Sequence, residues 1–215
     1  MSNHIFDNEV ASKVAAQLLE IKAVKFNTQS PFTWASGWKS PIYCDNRITL
    51  SFPDIRIYIK KQMQLMVSHK FSGVEAIVGV ATAGIPQAVL VAQELDLPFA
   101  YVRSKAKGHG MTNQIEGKLD QRQKVVLIED LISTGGSSLN AVKALRDSSI
   151  EVLGLAAIFS YDFKLAQENF IAAKVNHWCL SNYPILIEQA LKQNYIHSSQ
   201  LESLQKWRMS PETWG

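Results

Sequence analysis

The feature that most constrains this chain is the run at residues 124–138, Lys-Val-Val-Leu-Ile-Glu-Asp-Leu-Ile-Ser-Thr-Gly-Gly-Ser-Ser. Its apolar part, residues 125–128, is short enough for a buried strand. Two carboxylates, Glu129 and Asp130, follow where that strand is expected to end. A hydroxyl- and glycine-rich turn comes next, and a helical pattern follows it. The run therefore predicts a strand, an acid pair, a small-residue loop and a helix start as one unit.

The turn at residues 133–138 is suited to an anion. Glycines let the backbone approach a ligand closely, and the N–H groups and dipole at a helix N-terminus favour negative charge. Carboxylates repel phosphate, so the acid pair is better suited to sugar hydroxyls or to a hydrated Mg²⁺. Together they predict a ribose 5-phosphate site. The alternative is an acidic turn and a capped helix that bind nothing, and the run matches neither a Walker A loop nor a dinucleotide fingerprint.

The same run resembles the diphosphate-donor motif of type I phosphoribosyltransferases. Two further segments resemble the orotate-using branch of that family. They are residues 32–41, Phe-Thr-Trp-Ala-Ser-Gly-Trp-Lys-Ser-Pro, and residues 101–110, Tyr-Val-Arg-Ser-Lys-Ala-Lys-Gly-His-Gly. The resemblance covers most of the chain. It implies a magnesium-dependent transfer of 5-phosphoribosyl from 5-phospho-α-D-ribose 1-diphosphate (PRPP) to orotate, giving orotidine 5′-phosphate and diphosphate in pyrimidine biosynthesis.

The resemblance also implies roles for individual residues. Lys107, His109 and Asp130 are implied as catalytic, and Lys25 and Ser133 as contacts of orotate. No protein ligand of Mg²⁺ is assigned. The residues implied for PRPP binding are Arg103, Lys107, His109, Glu129, Asp130, Leu131, Ile132, Ser133, Thr134, Gly135, Gly136 and Ser137.

Three positions depart from the family pattern. Tyr161 stands where some orotate enzymes have an arginine that pairs with the substrate carboxylate, and Ala83 and Ser104 stand where many relatives have lysine. A tyrosine hydroxyl donates one hydrogen bond but cannot form a charged bidentate pair. Two alternatives therefore stay open: a related enzyme acting on a purine or uracil, and a non-catalytic regulator that senses PRPP. The regulator would need a DNA-binding module, and the N-terminal segment shows no clear helix-turn-helix.

Alternating strand and helix patterns predict an α/β fold with a central, mainly parallel sheet flanked by helices. We expect residues 1–215 to form one domain, in which residues 1–50 contribute a small N-terminal hood. Asp7 is predicted to cap the first helix, and Ser51 the second. Trp34 and Trp38 are interpreted as a hydrophobic lid on the core, with stacking on a flat base as the functional alternative.

Residues 104–123 form a long polar connection that contains several cations and glycines. A loop of this length in a compact domain is usually functional or disordered. We predict a lid that closes over an anion. By resemblance, the lid enters the active site of a partner subunit, which implies a homodimer.

Charge and composition exclude several classes. A net charge of +3 is too small to argue for nucleic acid. The N-terminus lacks the pattern of a signal peptide, and no apolar run is long enough to cross a membrane. Cys44 and Cys179 are far apart and lack metal-site spacing, which predicts a reduced, cytoplasmic protein with buried thiols. The histidines at 4, 69, 177 and 197 show no triad or ligand spacing, and no chemistry is assigned to them.

Overall fold

The structure is a computed structural model that describes residues 4–34, 36–104 and 114–214. In these residues the α-helices are α1 (Asn8–Glu20), α2 (Pro53–Lys70), α3 (Gly84–Leu95), α4 (Gly136–Asp147), α5 (Lys164–Ala172), α6 (Tyr183–Lys192) and α7 (Leu201–Met209). The strands are β1 (Val24–Phe26), β2 (Phe32–Thr33), β3 (Lys39–Ser40), β4 (Ile42–Cys44), β5 (Ala76–Val80), β6 (Phe99–Val102), β7 (Ile115–Glu116), β8 (Lys124–Ile132), β9 (Glu151–Ser160) and β10 (His177–Asn182). Short 3₁₀ helices span Asn46–Ser51 and Ser198–Gln200.

The central sheet has the strand order β10-β9-β8-β5-β6-β7. Every pair in it is parallel except β6 with β7, which is antiparallel. The middle strands are continuous apolar runs, and every residue of β5 is buried. Such runs are typical of strands that are covered on both faces. The predicted mainly parallel sheet flanked by helices is confirmed.

The order of the strands reverses between β5 and β8. From β5 the chain passes through α3 to β6 on one side, whereas from β8 it passes through α4 and α5 to β9 and β10 on the other. Because such crossovers are right-handed, α3 and α4 lie on opposite faces of the sheet. A crevice opens at the carboxyl ends of the strands where the order reverses, and ligands bind there in open α/β sheets. The crevice here lies beside the ends of β5 and β8.

Strand β8 is longer than predicted. The expected end after residue 128 is wrong, because β8 continues to Ile132 and the acid pair lies inside it. The last partner of β8 on β5 is Ile128 opposite Gly79, whereas β9 accompanies β8 as far as Ile132 opposite Ser160. The acid pair therefore occupies a stretch of strand that is paired with β9 but has passed the end of β5.

The predicted helix caps had different outcomes. Asp7 caps α1 as predicted, because its Oδ1 accepts a hydrogen bond of 2.9 Å from the N–H of Val10. Ser51 does not cap α2; it ends the preceding 3₁₀ helix, and Phe52 flanks α2 without a side-chain bond. Pro53 is the first residue of α2, where its missing N–H costs nothing.

The N-terminal segment contributes α1 and two small antiparallel sheets, β1 with β4 and β2 with β3. Helix α1 packs on β10 and α6, whereas α7 packs beside the small sheets. The indole N–H of Trp207 in α7 donates to the carbonyl of Lys39 at 3.1 Å, and its ring lies 5.7 Å from that of Trp34. Trp34 and Trp38 are partly buried and packed against the core, as the lid interpretation predicts.

Both cysteines are buried and unpaired, as predicted. Among the described residues, no helix has the length and apolar character needed to span a membrane.

Helix α3 begins at Gly84. A Cβ on Gly84 would lie 2.4 Å from the carbonyl oxygen of Ile128, so α3 approaches β8 more closely than a side chain allows. We expect Gly84→Ala to lower the free energy of unfolding by about 1–3 kcal/mol through overpacking. Urea denaturation measures this, and Gly136→Ala is the control, since its nearest Cβ contact is 3.7 Å. Equal stability of the two variants would contradict the close packing.

Candidate active site

A cavity of about 500 Å³ opens at the carboxyl end of β8, on the side of the small N-terminal sheets. It joins five parts of the chain that are distant in sequence: the end of β2, the segment around β4, the turn before α3, the stretch that begins with the acid pair and the residue that follows β9. The residues that line it are Thr33, Trp34, Tyr43, Cys44, Asp45, Arg47, Ala83, Glu129, Asp130, Leu131, Ser133, Ser137 and Tyr161.

The acid pair belongs to this lining. Successive side chains of a strand point to opposite faces, so the two carboxylates leave β8 in different directions. Glu129 is 4% exposed, and its Oε2 accepts bonds from the hydroxyls of Ser138 at 3.0 Å and Ser137 at 3.4 Å, both in α4. Asp130 lies nearer the N-terminal segment, and its main-chain carbonyl accepts a bond of 2.6 Å from the amide of Asn46.

Burial raises the pKa of both carboxyl groups. For Glu129 the neighbouring charge of Asp130 adds to the effect of burial, and the pKa lies well above its ordinary value. For Asp130 burial is again the largest cause, and hydrogen bonding with Glu129 and the positive charge of Arg47 partly offset it. Two adjacent carboxylates in one buried site cannot both ionise easily. Such a pair is suited to a cation or to hydroxyl donors.

The loop after β8 presents the N-terminus of α4 to the cavity. Gly135 flanks the helix with φ of +80°, a conformation that favours glycine, and a Cβ there would lie 2.9 Å from the ring of Phe170. Phe170 lies in α5, as does Asn169, whose side-chain amide donates a hydrogen bond of 3.0 Å to the carbonyl of Thr134. Helix α5 thus supports the loop that leads into α4. The N-terminus of a helix is suited to an anion.

The other residues implied for PRPP are distributed around this loop. Ser133, Leu131 and Ser137 line the cavity, whereas the side chain of Ile132 is buried in the core, which leaves only its backbone for a ligand. Gly136 is exposed at the start of α4. Arg103 lines a smaller adjoining cavity of about 40 Å³ that also contains Ser137.

Arg103 lies at the end of β6, with its guanidinium 3.5 Å from the carboxylate of Glu116. Lys107 and His109 lie outside the described residues, as does Lys105. Lys25 is exposed on β1 opposite Tyr43, which lines the cavity. Lys25 itself is not a lining residue, and its role towards orotate stays a prediction.

Tyr161 lies in the cavity wall but is 1% exposed. Its ring is stacked on Phe163 at 5.4 Å and lies 4.9 Å from Trp34 and 5.5 Å from Trp207. Burial raises the pKa of its hydroxyl well above the ordinary value. Tyr161 therefore forms an apolar aromatic wall rather than a charged contact.

Sequence reasoning missed the polar segment that follows β4. Asp45, Asn46 and Arg47 come together at the cavity, and Asp45 and Arg47 form an ion pair with N–O distances of 2.6 and 2.7 Å. The available signal was the oppositely charged pair, Asp45 and Arg47, directly after the short strand β4. The pair forms no periodic pattern, so the sequence did not indicate that this segment would contact β8.

Known proteins are similar to this chain in fold and, over nearly its whole length, in sequence. Residues 51–178 match the family described as phosphoribosyl transferase domain. The orotate phosphoribosyltransferase of Porphyromonas gingivalis is 53% identical over 202 residues, which cover 94% of this chain and 96% of that protein. The crystal structure of orotate phosphoribosyltransferase from Aeropyrum pernix has a TM-score of 0.75 at 26% identity, covering 86% of this chain and 99% of that one. The structure of Leishmania donovani UMP synthase also gives 0.75 at 26% identity, over 92% of this chain but 42% of that one.

The parallel sheet, the acid pair and the loop at the start of α4 define the class as a phosphoribosyltransferase. The relative that is 53% identical over nearly the whole chain is an orotate phosphoribosyltransferase, which identifies the branch of that class. The chain belongs to the orotate phosphoribosyltransferase family. The resemblance carried by residues 32–41, 101–110 and 124–138 is thereby confirmed.

Replacing Glu129 by glutamine is expected to stabilise the ligand-free protein increasingly as the pH rises. The unfolded chain ionises this carboxyl from its ordinary pKa of 4.5 upward, whereas the folded protein retains the proton to higher pH. The wild type therefore loses stability as the pH rises through this window, until the folded pKa is passed. The variant has no carboxyl to ionise at this position, and its amide oxygen can still accept the bond from Ser138.

Urea unfolding of both proteins from acidic to mildly alkaline pH measures the difference. Glu168→Gln, at a side chain on α5 that is 58% exposed, is the matched control and should show a smaller change with pH. A stability difference between Glu129→Gln and wild type that stays constant with pH would contradict the raised pKa.

Proposed function

We propose that this protein transfers the 5-phosphoribosyl group of PRPP to a ring nitrogen of orotate, giving orotidine 5′-phosphate and diphosphate. The observation that carries the proposal is the shared cavity. It brings the acid pair, the loop before α4 and an aromatic wall together in a member of the orotate phosphoribosyltransferase family. A ribose phosphate and a flat base require these three surfaces side by side.

The chemistry assigns a task to each surface. The bond from ribose C1 to the diphosphate oxygen breaks, and its electron pair leaves with diphosphate, while a lone pair of the orotate nitrogen forms the new bond. Positive charge develops on the ribose ring during this exchange. Glu129 and Asp130 would accept hydrogen bonds from the ribose hydroxyls and stabilise that charge by their own. The Oε2 of Glu129 is occupied by serine hydroxyls, which leaves its Oε1 for the sugar.

The 5′-phosphate would lie against the loop of residues 133–137 and the first turn of α4. Ser133 lines the same cavity. Its hydroxyl would contact both the 5′-phosphate and orotate. Arg103, beside Ser137 in the adjoining cavity, would attract the departing diphosphate. Lys107 and His109 are proposed to act with it from the lid. The same lid would exclude water, which otherwise competes with orotate as the nucleophile.

The acid pair also fits a magnesium ion. Mg²⁺ is commonly held by one or two carboxylates together with water and substrate oxygens, rather than by a full protein cage. Among the described residues no group of three or more His, Cys, Asp or Glu side chains could hold a metal, in keeping with a site that substrate oxygens complete. Bound there, Mg²⁺ would neutralise charge on the diphosphate. Asp130 and Glu129 are the residues that would hold it.

Orotate is favoured over the other bases by relatedness. The Porphyromonas gingivalis relative, 53% identical over nearly the whole chain, is an orotate phosphoribosyltransferase, whereas the purine and uracil alternatives rested on the departure at Tyr161. The sensing regulator is disfavoured because both acids face the cavity. We further propose a homodimer in which each lid serves the partner, and a cytoplasmic location, which the two buried, unpaired thiols support.

The double variant Glu129→Gln with Asp130→Asn is expected to reduce turnover of orotate by about 100-fold or more, since it removes the charges that stabilise the ribose cation. The shapes of both side chains are retained, so the fold should survive. The assay follows orotate absorbance with PRPP and Mg²⁺, and uracil and hypoxanthine serve as alternative bases. Unchanged kinetics in a folded double variant would refute the role of the acids, and faster use of hypoxanthine or uracil would refute the proposed substrate.

The shared lid predicts complementation between two inactive variants. Lys107→Ala damages the lid and Asp130→Asn damages the pocket, so a heterodimer of the two holds one undamaged site. Mixing them should recover part of the wild-type activity. A mixture that is verified as heterodimeric and shows no recovery would contradict sharing of the lid.

A further inference from the structure

We propose that Arg47 is a specificity residue whose guanidinium receives the carboxylate of orotate. This inference rests on the proposed function and adds to it the residue that distinguishes orotate from uracil. Orotate carries a carboxylate at physiological pH, and uracil does not. A site that selects orotate therefore needs a cation beside the base.

The charges of the cavity lining leave one candidate among the described residues. Three carboxylates line the cavity, from Asp45, Glu129 and Asp130, and the only lining cation is Arg47. An anionic base would be repelled from most of this surface. Within the lining, its carboxylate is attracted where the guanidinium lies.

Arg47 is already oriented for such a contact. Its Nε and Nη2 donate to the two oxygens of Asp45 at 2.6 and 2.7 Å, in a bidentate pair. This pair uses two of the five N–H donors of a guanidinium, so others remain for a ligand. The side chain is 59% exposed, and its charge reaches the carboxyl of Asp130. Because Asp45 limits the rotamers of Arg47, less conformational entropy is lost on binding.

Hydrogen bonds fix the main chain around Arg47 to strand β8. Asn46 is 1% exposed, and its amide donates 2.6 Å to the main-chain carbonyl of Asp130. The hydroxyl of Thr49 donates 2.6 Å to the carbonyl of Asn46, and Asp45 Oδ1 accepts from the N–H of Arg47 at 3.2 Å. These bonds hold the segment at a set distance from the acid pair. A ribose on the acids would therefore place its base near Arg47.

Neighbouring groups are less suited to this role. Tyr161 is buried in the aromatic cluster and can offer at most one neutral hydrogen bond. The ammonium group of Lys39 donates a hydrogen bond of 2.7 Å to the hydroxyl of Thr33. Lys39 does not line the cavity. Trp34 and Tyr43 provide flat apolar surface in the same cavity. The base would stack on the aromatic residues while its acid group reaches Arg47.

The test compares two nucleotides that differ only by the carboxylate. Orotidine 5′-monophosphate and uridine 5′-monophosphate would occupy the ribose phosphate site alike, so their ratio of dissociation constants isolates the carboxylate. Calorimetry or fluorescence titration of the full-length protein gives this ratio for wild type, Arg47→Gln and Arg47→Lys. Lys39→Gln controls for loss of a nearby charge. Arg122→Gln, beyond the other end of β8, controls for the same chemical change at a distance.

We expect Arg47→Gln to lower the preference for orotidine 5′-monophosphate roughly 10- to 100-fold, the usual worth of a charged hydrogen bond. Arg47→Lys should retain part of the preference, and both control variants should retain nearly all of it. A preference that persists in Arg47→Gln, or that falls equally in Lys39→Gln, overturns the assignment. A wild type that prefers neither nucleotide contradicts the proposed function, and this inference with it.

Discussion

The burial of two adjacent carboxylates is the constraint around which this protein is arranged. Glu129 and Asp130 lie in a strand of the central sheet, where removal from water raises the pKa of each. Serine hydroxyls from α4 offset part of that cost on one side, and Arg47 does so on the other. The helix, the strand and the N-terminal segment must all meet at this pair. A cation or a sugar diol would complete what the protein leaves partly satisfied.

The topology explains why the pair can be reached by a ligand at all. Strand β8 passes the end of β5 and is then accompanied by β9 alone, so one edge of it faces the crevice. Helix α3 approaches β8 closely through Gly84, and α5 supports the loop through Phe170 and Asn169. Rigid elements therefore surround the ligand surfaces on several sides. The N-terminal segment adds Trp34 and Tyr43 beside the wall formed by Tyr161, together with the one lining cation among the described residues.

Local patterns predicted the elements better than their ends. The apolar run at residues 125–128 lies within a strand, and the aspartate at position 7 caps α1, because each depends on nearby residues alone. Ser51 failed as a cap because the chain before α2 forms a 3₁₀ helix. The predicted end of β8 failed because the length of a strand depends on its neighbour, and β9 continues beside the acid pair. Hydrophobic periodicity carries no information about that neighbour.

The amino-acid sequence was enough to indicate the class of site, because an acid pair, a glycine-rich loop and a helix start that follow one strand suit a ribose phosphate wherever that strand lies. Which other residues face the cavity depends on how distant segments pack. This packing brought Asp45, Asn46 and Arg47 to the acid pair and turned Tyr161 into an apolar wall. The reason is the distance along the chain over which each interaction acts. Capping, turn chemistry and strand patterns act over a few residues, whereas charge and hydrogen bonding between distant segments exist only after packing brings those segments together.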